Sequence, residues 1–140
     1  ASISDSIAAP GARLAIIIDV TPKPAMHLCA PGKHDYQVVQ LSLDPQPWLR
    51  SQATIYPASE IYHFKPLNER VPVYMKPFRL RREVTLLATQ AAQKMLAGMT
   101  AVIITGALEY QACDDKVCFN PSRVPVSFAV NLKQLDRRTP

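Results

Sequence analysis

A chain of 140 residues in which 48% are apolar can bury one globular core and is not a disordered segment. Sixteen Lys and Arg against eleven Asp and Glu leave a net charge of +5. Apart from Arg79, Arg81, Arg82 and the terminal Arg137 and Arg138, these cations are interleaved with acids, which suits guarded strand edges better than nucleic-acid binding.

No run approaches the roughly 18 apolar residues of a membrane span, and no signal peptide is visible. In chain order, residues 1–11 read as a loose leader. Arg13 to Val20 (RLAIIIDV) is a strand apolar on both faces, interrupted by Pro22 and Pro24. Ala25–Ala30 continues extended to a turn at Pro31–Asp35. Tyr36 to Leu43 alternates as a strand should, and Trp48–Tyr56 is a weaker candidate. Pro57 to Pro72 has little period and reads as a long loop, a kind of segment that tends to be functional. Val73–Pro77 and Phe78–Leu87 are strands, the second with charges on alternate residues. Ala88 to Ala97 is the one helix-like stretch, and residues 133–140 form a polar tail. Thirteen prolines against four glycines suit the edges and turns of an all-β fold and would break long helices. Seven to nine short strands with regular turn signals and no strand–helix alternation predict a single all-β domain over 1–140, a β-sandwich with at most one short helix.

The most informative stretch is Leu108–Pro125. Ala101–Ala112 and Val124–Leu132 are β-rich runs that flank Cys113 and Cys118, with four residues between the two cysteines. Two strands joined by a short turn would bring the cysteines face to face, within the separation that a disulfide accepts. Closing so short a loop removes little entropy from the unfolded chain, roughly 2 kcal/mol. A bond of this kind at an exposed hairpin end suits making and breaking, which needs a reachable sulfur and an attacking thiolate. Asp114 and Asp115 disfavour a thiolate beside them, whereas Lys116 favours it. Spacing alone leaves exchange, a structural cross-strand disulfide and two reduced thiols all open.

The string Tyr110–Cys118, followed by Pro121 and Val124-Pro-Val126, resembles the signature of the DsbD N-terminal domain family, also called the disulfide bond corrector family. Met26-His27-Leu28 with Ala30-Pro31-Gly32, and Tyr56-Pro57, resemble two further segments of that family. The likeness spans about residues 12 to 132. It departs from the family in its short spacing between the cysteines, in Cys29 where an aromatic is more usual, and in Asn120 where a second proline is common. The resemblance implies an immunoglobulin-like fold in the periplasm or another extracytoplasmic place. It implies thiol–disulfide exchange through Cys113 and Cys118, with Cys118 forming the mixed disulfide and Tyr110, Asp114, Asp115 and Lys116 close by. A thioredoxin-like domain, on the same chain or a separate protein, is the implied electron donor. Periplasmic disulfide-carrying proteins are the implied acceptors, and no cofactor is implied. An aromatic cap over the disulfide is a further family feature, and by position Tyr62 and Phe64 in the 57–72 loop are the candidates. Their alternative role is to anchor that loop to the core.

Other constellations are weaker. Met26, His27, Cys29 and His34 offer soft and imidazole ligands for copper, but alternation puts only His27 and Cys29 on one face. Cys-x4-Cys lacks the second ligand pair of a zinc finger. His63 has nothing in the sequence to join it to Cys113. Cys29, left over from the pair, is expected to be a small buried hydrophobe. The competing function is a non-catalytic interaction module whose hairpin disulfide is only structural.

Overall fold

Alternation of apolar residues is what builds the sheets. A computed structural model describes residues 1–133. Its elements begin with β1 (Ser2–Ile3), β2 (Ile7–Ala8), β3 (Arg13–Val20), β4 (His27–Cys29), β5 (Gln40–Leu43) and β6 (Leu49–Ser51). β7 (Glu60–Phe64), β8 (Glu69–Tyr74), β9 (Phe78–Leu86) and α1 (Gln90–Leu96) follow, and β10 (Ala101–Tyr110), β11 (Ala112–Cys113) and β12 (Ser122–Leu132) complete the set. Five of these twelve strands are two or three residues long, so seven carry most of the sheet. The expected all-β, immunoglobulin-like sandwich is the architecture.

Three four-stranded sheets form, ordered β1-β3-β9-β6, β2-β12-β10-β5 and β11-β4-β8-β7. Leu14, Ile16 and Ile18 of β3 and Leu80, Val84 and Leu86 of β9 point inward from the first sheet. Val102 and Ile104 of β10 and Phe128 and Val130 of β12 meet them from the second. Spacing by two is what places each set on one face. Removing one such side chain, as in Ile104→Ala, costs about 2–5 kcal/mol through lost burial and the cavity left behind. Arg82 ties the first sheet to the second by donating to the Leu41 carbonyl of β5. It also donates to Gln52 O and Ser51 Oγ, while Arg79 pairs with Asp19 at 2.8 Å and Arg81 with Glu83 at 3.5 Å. The basic run thus spends its charge within its own sheet and on the tie to β5.

The third sheet carries a second, smaller core of Cys29, Val71, Val73 and Cys113. A side chain at Gly32 would collide with Pro72 of β8, so a glycine is needed for the chain after β4 to pass this closely. α1 lies where the sequence indicated a helix: the Thr89 hydroxyl caps it by accepting from Ala92 N, and Ala92 and Leu96 are buried.

Three expectations change. Residues 1–11 are not loose, because β1 pairs with β3 and β2 runs parallel to the end of β12. Residues 57–72 are not a loop. β7 and β8 form a hairpin there, turning through Lys65–Leu67 and a left-handed Asn68 at φ 48°. Pro57, Pro66 and Pro72 broke up the pattern that would have revealed it. Only Gln40–Leu43 of the Tyr36–Leu43 run is strand, since the Gln37 N–H goes to the Gln111 side chain and the Val39 N–H to Cys29 O. The polar tail beyond residue 133 lies outside the described residues.

Candidate redox site

β10 and β12 pair without a break from Ala101 opposite Asn131 to Tyr110 opposite Ser122. Continued further, that register would set Cys113 against Phe119. Pro121 has no N–H to continue the ladder, and the chain slips by one residue. Cys113 then stands opposite Cys118, and the two are disulfide-bonded with Cα atoms 4.0 Å apart. Gln111 bridges the slip: its Nε2 donates to Phe119 O at 3.0 Å, and its Oε1 accepts from Gln37 N at 2.9 Å. The cysteines were expected at the neck of the long β10–β12 hairpin. They sit instead at the neck of a smaller hairpin, which leaves that sheet and docks on the third one. There β11 pairs with β4, placing Cys113 opposite His27 and Ala112 opposite Leu28.

Asp114 closes the small turn. Its Oδ1 accepts the N–H groups of Lys116 at 2.8 Å and Val117 at 2.7 Å. Those bonds, first that from Val117, hold its carboxyl below the usual carboxylate range. Asp115 and Lys116 are exposed at the tip, and Tyr110 lies behind the hairpin in a groove of about 460 Å³. Met26, Leu28, Leu108, Ala112 and Phe119 give that groove an apolar lining, with Asp19 and Lys23 at its edge.

The two bonded cysteines differ in exposure. Cys113 is 1% exposed, whereas Cys118 is only partly buried. On either side of Cys118, Val117 and Phe119 are each 49% exposed. Behind the bond is a cavity of about 10 Å³, bounded by His27, Cys29, Tyr36, Tyr62, Phe64 and Val71. That space is about what one water needs, far too small for an organic cofactor.

Tyr62 and Phe64 both reach this cavity, from β7 and not from a loop. Phe64 is buried, and the Tyr62 ring packs on His27 with centroids 4.2 Å apart. His63 lies elsewhere in effect, held by Asn68 Oδ1 at 2.8 Å. Sequence reasoning missed His27, Cys29 and Tyr36 as neighbours of the disulfide. The signal was partly there, because alternation put His27 and Cys29 on one face. What was lacking was the slip that brings Cys113 onto that face.

Burial pushes the Cys29 thiol up to about 11. It pushes the His27 imidazole down, against a smaller upward pull from Asp114. The Tyr36 hydroxyl is raised by desolvation and then by its bond to Glu69 Oε1 at 3.1 Å. His34 spends its ring nitrogens on Ala30 O and Tyr36 N. Among the described residues no three His, Cys, Asp or Glu side chains gather closely enough to hold a metal ion.

Neither a protein-family model nor a curated protein matches the chain. Its fold is similar to that of a solved structure, the Neisseria meningitidis DsbD n-terminal domain in the reduced form. The TM-score is 0.51 at 16% sequence identity, over 90% of this chain and 82% of that one. The shared feature is the fold.

Proposed function

We propose that this domain performs extracytoplasmic thiol–disulfide exchange through Cys113 and Cys118. The observation that carries the reading is the unequal burial of two bonded cysteines, one sealed in a core and one beside an exposed apolar rim. The likeness to a DsbD n-terminal domain and the resemblance of residues 110–126 to that family support it.

A thiolate of a thioredoxin-like donor attacks Cys118 Sγ, the sulfur it can reach. The Cys113–Cys118 bond breaks, and its electron pair goes to Cys113 Sγ. A second donor thiolate then attacks the donor's own sulfur in the mixed disulfide. The donor leaves oxidised, and the domain holds two thiols. Run onward, Cys118 attacks a disulfide of a periplasmic acceptor and Cys113 resolves the intermediate. Val117 and Phe119 supply apolar contact for either partner. Tyr62 and Phe64 act as a wall that keeps stray thiols from the inner side of the bond. Cys29, with its thiol pushed up to about 11, stays protonated near neutral pH and does not compete as a nucleophile.

Trapping tests the mechanism. A Cys113→Ala variant should accumulate a mixed disulfide with a thioredoxin-like protein through Cys118, and Cys118→Ala should not. Trapping through Cys113 instead, or through neither, would contradict the assignment.

A further inference from the structure

His27 is 5% exposed, yet its ring has no hydrogen bond among the described residues. Neither ring nitrogen is both unpartnered and sealed from solvent. It stands directly opposite Cys113 in the β4·β11 ladder and borders the same small cavity as both bonded cysteines. A packing histidine could be replaced by any flat ring. This one brings an unpartnered donor and acceptor to the cavity that also borders the cysteine whose sulfur must receive a pair of electrons in an apolar core.

We infer that His27 carries the proton to Cys113 when the disulfide opens, and takes it back when the disulfide closes. The inference rests on the exchange reading above and assigns a role that reading leaves empty. As the bond to Cys118 breaks, Cys113 Sγ becomes a thiolate beside Val71 and Val73, where desolvation makes the charge costly. The imidazole takes a proton from solvent at one nitrogen, and the imidazolium so formed passes the proton on its other nitrogen to that sulfur through the water-sized cavity they share. The sum is one proton from water delivered to Cys113. In the reverse direction the imidazole accepts the thiol proton, and the resulting thiolate attacks Cys118 Sγ in the mixed disulfide.

The groups facing His27 fit the task. From the hairpin, Asp114 is the carboxylate that favours a passing imidazolium. From β7, Tyr62 holds the ring by stacking. Cys29 on its own strand and Tyr36, bonded to Glu69, close the remaining sides, and burial keeps Cys29 protonated.

The test needs no partner protein, so it separates this inference from the exchange reading. Proton NMR of the His27 ring is followed against pH in the oxidised and dithiol forms of the wild-type chain. Different midpoints in the two forms are expected, and identical midpoints would overturn the inference. In parallel, the Cys113 thiolate is titrated by its ultraviolet absorbance in Cys29→Ser/Cys118→Ala, with and without His27→Phe, which keeps a flat ring. Losing the imidazole should raise the Cys113 midpoint by about one unit, a tenfold loss of thiolate at neutral pH. An unchanged midpoint would show His27 to be packing alone. Should the phenylalanine variant not fold, His27→Gln serves in its place, and the wild-type NMR comparison stands by itself.

Discussion

Cys113 faces Cys118 and not Phe119 because the strand slips by one residue at Pro121, and the side chain of Gln111 spans the slip. Gln111→Ala should therefore loosen the hairpin at its root. Losing two part-exposed hydrogen bonds is expected to cost about 1–2 kcal/mol in urea unfolding of the oxidised domain. Full stability in the variant would mean that Pro121 alone sets the register.

Burial ranks the three thiols. After mild reduction, iodoacetamide should modify Cys118 first and Cys113 much more slowly, while Cys29 reacts only on unfolding. Peptide mass mapping over time reads the order directly. Early modification of Cys29 would contradict its place in the second core.

Cys29 also predicts a pH dependence. Its thiol pKa is raised from 9.0 to about 11, so above pH 9 the unfolded chain loses a proton that the folded chain keeps. Stability attributable to this group is complete below pH 9 and falls by about 2–3 kcal/mol as pH rises to 11. Cys29→Ala should show a shallower alkaline decline than the wild type in denaturant unfolding. Parallel declines would sink the attribution.

The wall formed by β7 can be tested by opening it. Tyr62→Ala should speed reduction of the disulfide by glutathione on the order of tenfold, because it opens the inner side of the bond. The equilibrium between oxidised and dithiol forms should move far less than the rate. An unchanged rate would mean that Tyr62 only packs His27.

The sandwich was legible because β9, β10 and β12 alternate, β3 is an unbroken apolar run of strand-forming residues, and the Ala-rich stretch 88–97 marked out α1. The β7–β8 hairpin was hidden by prolines, and the docked leader by strands of two residues, too short for any period to show. At the site, the cysteines and their turn could be read locally, since Asp114 sits where a turn needs a side-chain acceptor. His27, Cys29 and Tyr36 could not be joined to them. They come with β4, whose His27 meets Cys113 in a pairing between strands more than eighty positions apart, created by a slip that no local pattern announces.

The reduction potential of the Cys113–Cys118 pair, measured by equilibration with glutathione or dithiothreitol buffers, tests the exchange chemistry most directly. A bond that is passed between proteins should have a potential above about −300 mV. A value below that, with Cys118 unreactive toward a thioredoxin-like donor, would make the disulfide a structural clasp on an interaction module.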